Sequence, residues 1–295
     1  MRKQPLIVAW LLFTAISLNA QETRFPNLKG PYLGQKPPGI TPEVFAPGII
    51  STPAHEYGIA FSKDARKIYL KRMSGNEGKN LVFVYKNRVW HAPEEVQFGE
   101  EGRYGEFQVT PDGKYLLVNK IILSPDGNPQ STIAKFTKAG DSWIDPFIIG
   151  PGMRATGAKN GNIYVTHILD LSRSLGEIGR YTCHKGMYGE IEILEGDINR
   201  NGVNSSHPFI APDESYLIFN SKRDDNPYPC LYLSFNLDGK SWSVPINLSR
   251  RLNTGKETNE WIATVSPDGK FLFYNCGSDI YWVSAEIIEE LRPKK

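Results

Sequence analysis

Cysteine is scarce in this chain, with three among 295 residues. Three thiols make neither a disulfide scaffold nor a four-thiolate zinc site. No apolar run beyond the first twenty residues approaches the roughly 18 residues that a membrane span takes. Charge of either sign is never concentrated, and a near-neutral chain without a basic stretch is a poor partner for nucleic acid or anionic lipid. Gly-x-Ser-x-Gly, phosphate-loop, dinucleotide and His-Glu-x-x-His patterns are all absent, so no catalytic motif and no cofactor is expected. The five histidines, His55, His91, His167, His184 and His207, never fall at metal-ligand spacing along the chain.

What is present begins with an address. Arg2 and Lys3 precede an apolar stretch from Leu6 to Leu18, and Ala20 closes it with a small residue. That is the layout of a secretory signal peptide over 1–20, cut between Ala20 and Gln21. The expected location is the periplasm or the outside of the cell. The mature chain then carries 32 basic and 32 acidic side chains and no membrane span. Export permits disulfides, yet Cys183, Cys230 and Cys276 lie in or beside strand-like apolar runs and are read as buried small hydrophobes. Their redox state stays open.

The remainder repeats itself. FSKDARKIYL (61–70), VTPDGKYLLV (109–118), GAKNGNIYV (157–165), IAPDESYLIF (210–219) and VSPDGKFLFY (265–274) each give a strand end, a tight turn and a β-branched or aromatic strand. In Pro111-Asp112-Gly113 and Pro267-Asp268-Gly269 the proline presets φ, the aspartate bonds its own backbone and the glycine takes a positive φ. Asn160-Gly161 does the same work in the third copy. The turn residues Asp64, Asp112, Asn160, Asp213 and Asp268 are 48, 48, 53 and 55 residues apart, close to the period of a four-stranded propeller blade. A third strand follows in every copy. A fourth follows in most, marked by an aromatic residue and then proline, as in Trp143 to Pro146 and Trp242 to Pro245. Proline suits an outermost, edge strand.

The last copy runs out after its third strand, and a fourth-strand pattern without its own blade stands at 42–50. The expected fold is all-β: a single propeller over 40–295, closed by an N-terminal outer strand that completes the C-terminal blade. Five blades are counted, with six as the alternative. Residues 21–39, rich in proline and glycine, are expected to form an irregular strap.

The repeated Pro-Asp-Gly-Lys unit resembles the WD-like β-propeller repeat of TolB-like exported proteins, over about residues 40–290. TolB-like propellers are usually assigned six blades, and this is the source of the six-blade alternative. The resemblance implies the propeller fold and an exported location; the additional partner-binding N-terminal domain of TolB is not expected here, and no catalytic residues come with the likeness.

The candidate site is positional. In a propeller the first strand of each blade lines the central channel, and its leading end borders one face. That end holds His55, Glu56, Arg103, Glu106, Arg154, His207, Glu260 and Trp261, charges and rings that would converge on one axis. The main expectation is a non-enzymatic, monomeric binding module for an envelope protein, a peptide or a glycan at the channel face. One alternative is a carbohydrate-active enzyme, for which two of Glu56, Glu106 and Glu260 would stand about 5–9 Å apart. The other is a purely structural envelope module, with the charged residues as struts between blades. A weak calcium candidate is Asp197, Asn199 and Asn201, the start of a loop pattern that lacks its closing carboxylate.

Overall fold

The computed structural model describes residues 25–96, 98, 104–123, 126–170, 175–200, 203–223, 228–252 and 259–294. The expected signal peptide lies outside them, as do Arg103 and Asn201. Among the described residues no helix is long and apolar enough to cross a membrane. Five four-stranded antiparallel sheets stand in a ring, so the fold is a five-bladed propeller. The innermost strands are β1 (His55–Phe61), β2 (Tyr104–Val109), β3 (Met153–Gly157), β4 (Ser205–Ile210) and β5 (Glu260–Val265).

The turns form as their residues dictate. Asp112 accepts from Thr110 Oγ1 at 2.6 Å and from the Lys114 N–H at 3.0 Å, and Asp64 and Asp268 repeat the arrangement with Ser62 and Ser266. Each inner strand is thereby reversed into the second strand of its blade. In the last two blades the second and third strands are buried on both faces, as in Phe271–Cys276 and Cys230–Phe235. Their side chains pack blade against blade; one cluster joins Leu231 and Leu233 of the fourth blade to Leu272 and Val283 of the fifth.

The ring closes as expected. Glu43 and Val44 pair with Trp282 and Tyr281 as the fourth strand of the last blade. The paired segment is only two residues long, and the closure is reinforced around it. Phe45 N–H donates to Ile280 O at 2.8 Å, and Ser51 Oγ accepts from Ile280 N–H at 3.0 Å. The guanidinium of Arg72 donates to Ile49 O at 2.8 Å and to Glu56 at 2.7 Å, tying the N-terminal segment to the first blade.

The strap is more than a connection. A short 3-10 turn, Tyr32–Gly34, inserts Tyr32 between the first and last blades, edge-on to Phe61 and Phe271 at 6.0 and 5.2 Å. Trp90 also belongs to it, donating from Nε1 to Gly30 O at 2.8 Å. The Trp90-His91-Ala92-Pro93 pattern leads into the outer strand of the first blade, as Trp242 to Pro245 does in the fourth. Val89–Trp90 folds back on Tyr85 and Lys86, and Glu94–Glu95, just after Pro93, pairs with Leu81 and Val82. Cys230 and Cys276 are buried and Cys183 is half-buried.

Candidate functional site

Every inner strand breaks register at the same place. The shifts fall between Tyr57 and Ala60, Gly105 and Gln108, Met153 and Thr156, Ser206 and Phe209, and Trp261 and Thr264. At each shift one residue takes a left-handed backbone: Gly58 (φ 71°), Glu106 (51°), Arg154 (49°), His207 (51°) and Ile262 (47°). Only the first is a glycine. The other four carry strain of about 1–2 kcal/mol each, and a β-branched residue such as Ile262 resists it most. Five bulges at one level form a ring around the axis.

The neighbouring blade holds four of the five bulges in place. Asn119 Oδ1 accepts the Arg154 N–H at 2.8 Å, Thr166 Oγ1 the His207 N–H at 2.8 Å, Asn220 Oδ1 the Ile262 N–H at 3.0 Å and Asn275 Oδ1 the Gly58 N–H at 3.3 Å. Asn220 and Asn275 also donate from Nδ2 to the carbonyls of Glu260 and Glu56. A buried N–H displaced from its ladder must find another acceptor, and these side chains supply it. The fifth interface differs. Lys71 occupies the corresponding position in the first blade and has no acceptor to offer Glu106. Its ammonium lies 5.9 Å from the centroid of the Tyr57 ring.

The bulges decide where the candidate residues point. Arg154 is fully buried and reaches across the axis, donating to Phe107 O at 3.4 Å, Ala263 O at 3.2 Å and Thr264 Oγ1 at 3.3 Å. It closes the channel at its waist. Glu106 stands above it with Oε1 3.5 Å from His207 Nε2, while Ser206 Oγ lies 3.0 Å from His207 Nδ1. Burial alone would raise the Glu106 carboxyl; the hydrogen bond and charge of His207, with Arg154 and Lys71, outweigh it and hold the group below its ordinary value. The Tyr57 hydroxyl is pushed up to about 12, by burial and then by the charge of Glu106.

Glu56 and Glu260 do not join Glu106. They lie two residues before their bulges, whereas Glu106 lies on its own, and they turn into the blades. Glu56 is bound by Arg72 and by the Thr52 N–H at 3.1 Å. Burial raises the Glu260 carboxyl, a hydrogen bond with Ser249 opposes the shift, and its Oε2 has no partner. The three carboxylates therefore form no pair at the channel.

The mouth itself is aromatic. His55 and Tyr57 stack near Trp261, with centroids 6.0 and 5.8 Å away and planes inclined 17° and 27°, and His207 meets Trp261 edge-on at 6.1 Å. Beside Trp261 opens a cavity of about 370 Å³ with an apolar wall of Met153, Ile168, Leu175 and Pro229. Asn204, Ser206 and Asn259 line it as well. Hairpins of the second and third blades stand over this face and expose Ile121, Leu123 and Leu169.

Of the three calcium-candidate residues, Asn201 lies outside the described residues and Asn199 is engaged with backbone. Asn199 Oδ1 accepts the Ile178 N–H at 2.8 Å and its Nδ2 donates to Ile178 O and Leu194 O, so the amide clamps backbone. Among the described residues no cluster of three His, Cys, Asp or Glu could hold a metal.

These features define a five-bladed propeller with a plugged channel and an aromatic mouth. No family model and no curated protein matches the chain. Among solved structures it is similar to a TolB from Agrobacterium tumefaciens, at 16% identity and a TM-score of 0.51 over 76% of this chain and 70% of that one. It is also similar to the endo-arabinase of Bacteroides thetaiotaomicron, at 16% identity and a TM-score of 0.53 over 79% and 94%. A thermostable family-43 glycoside hydrolase matches at 13% identity and 0.51 over 80% and 90%. At such identities the likeness is one of fold, and the fold is TolB-like.

Proposed function

We propose that this chain is an exported binding module that takes a peptide segment of a partner protein at the aromatic mouth. The observation that carries the reading is the cavity beside Trp261, apolar on one side and lined by Asn204, Ser206 and Asn259 on the other. An apolar side chain fits the wall of Met153, Ile168 and Leu175, while amides and a hydroxyl at the rim suit a peptide main chain. Exposed Ile121, Leu123 and Leu169 extend the apolar surface for the rest of the partner. Export rests on the leader at 1–20 and agrees with the TolB-like fold.

The enzyme reading has less support. Glycoside hydrolases share the fold, but hydrolysis by two carboxylates needs both at the substrate, and here Glu56 and Glu260 face the blades. The test is a random-peptide library and a glycan array presented to the same immobilised protein. Peptides sharing one apolar anchor residue are expected. Glycan hits without peptide enrichment would overturn the proposal.

A further inference from the structure

The channel has a second end. Below the Arg154 plug, where the inner strands reach their turns, lies a cavity of about 310 Å³ on the face opposite the aromatic mouth. Its walls are apolar, with Phe61, Phe209, Tyr216 and the turn prolines Pro111, Pro212 and Pro267. The charged side chains that line it are Lys63 from the first blade and Lys159 from the third, both exposed, and no described aspartate or glutamate lines it. The turn aspartates Asp64, Asp112, Asp213 and Asp268 stand close by outside this lining, each accepting within its own turn, and Asp213 lies in the field of Lys159.

The floor adds to the positive character. The buried Arg154 guanidinium donates to Thr264 Oγ1, and Thr264 donates in turn to Gln108 Oε1 at 3.3 Å. With its oxygen engaged, Gln108 has its amide NH₂ to offer as a donor at the base of the cavity. Arg154 makes no ion pair with a described carboxylate, so its charge is balanced only at a distance by Glu106. A recess with two rim ammonium groups, an amide donor, a cation under its floor and apolar walls is complementary to an anion with a hydrophobic body.

We propose that this turn-face cavity is a carboxylate-binding site, separate from the mouth. It takes a carboxylate within reach of Lys63 and Lys159, with an aromatic or aliphatic body of about ten heavy atoms against the prolines and Tyr216. Two sources carry that chemistry: a free arylalkanoate, or the C-terminal carboxylate of a peptide ending in an aromatic residue.

The test is titration of the full chain, followed by NMR shifts and calorimetry, with four probes: 3-phenylpropionate, 3-phenylpropanamide, and a pentapeptide ending in Phe as the free acid and as the C-terminal amide. The acids are expected to bind at least tenfold more tightly than the amides. Lys63→Gln and Lys159→Gln should each weaken the acids about fivefold to tenfold without moving the melting temperature, because both side chains are exposed. Trp261→Ala at the other mouth should leave the acids' affinity unchanged. Tighter binding of the peptide acid than of the free acid would assign the site to a chain terminus, and the reverse order to a small molecule. Acids and amides of equal affinity, lysine variants that bind like the parent, or no binding up to about 10 mM would overturn the proposal.

Discussion

Four of the five blade interfaces are alike and one is not, although all five meet the same bulge. Between blades two and three, three and four, four and five, and five and one, an Asn or Thr of one blade accepts the displaced N–H of the next. Between blades one and two the position belongs to Lys71, and the bulge residue is Glu106, whose carboxylate enters the channel beside His207. Four joints share one kind of clamp, and the fifth places charge at the axis instead. The departure lies beside the aromatic mouth, where Tyr57, Trp261 and His207 converge. The regular joints clamp backbone across the ring, and the irregular joint brings a carboxylate and an imidazole together at the axis.

The largest expected effect concerns the closing joint. Deleting residues 40–52 removes the outer strand of the last blade, the Ser51 bridge to Ile280 and the anchor of Arg72, and leaves a sheet edge open. The melting temperature should fall by more than about ten degrees, or the chain should fail to fold. A deletion that melts like the parent breaks the closure argument.

A smaller step tests the clamps themselves. Asn275→Ala removes the acceptor of the Gly58 N–H and a donor to Glu56 O inside the protein, and should cost about 2–4 kcal/mol in chemical denaturation. Asn220→Ala should behave alike at its own interface. A loss below about 1 kcal/mol at both would mean that the clamps are incidental.

Glu106 and Glu260 sharpen the contrast through pH, because their shifts are opposite. The Glu106 carboxyl is lower in the fold than its ordinary 4.5, so it stabilises above that pH and the benefit is lost as pH falls below it. Glu106→Gln should therefore lower the melting temperature at pH 7, with the gap to the parent closing below about pH 4.5. Glu260 is raised, so its favourable contribution is complete only below 4.5 and disappears as pH rises through the folded value. Glu260→Gln should raise the melting temperature at pH 7 by a few degrees, roughly 2–4 °C, with the gain shrinking in acid. Melting curves of both variants from pH 3.5 to 8 decide it.

The smallest effect comes from making the odd joint regular. Lys71→Asn restores an acceptor at the first interface and removes a cation near Glu106. Stability should change by under about 1 kcal/mol, while ligand binding at the mouth weakens. A variant with unchanged binding would show that the irregular joint has no part in recognition.

Much of this was legible in the residues. The Pro-Asp-Gly turns announced the inner hairpins because their chemistry is local, and the orphan strand pattern at 42–50 announced the closure. The aromatic-proline pattern at Trp90 to Pro93 announced the outer strand at Glu94–Glu95 but not the indole's bond to Gly30 O in the strap, 60 residues away. The site was legible in part. His55, Glu106, Arg154, His207 and Trp261 do gather at the axis, but Glu56 and Glu260 do not. A bulge shifts the alternation, and only Gly58 marks it with a residue suited to positive φ; Glu106, Arg154, His207 and Ile262 adopt the same backbone without a local sign. The clamp had a signal that turn-centred alignment passes over. Asn119, Asn220 and Asn275 each stand ten residues after the Val109, Ile210 and Val265 that open their repeats, and Lys71 stands ten after Phe61.

The most direct test of the binding-module account is the affinity of the enriched peptide for the parent, for Trp261→Ala and for Met153→Lys. The account predicts at least a 30-fold loss in both variants, about 2 kcal/mol, with the melting temperature held. Equal affinity across the three proteins would contradict it.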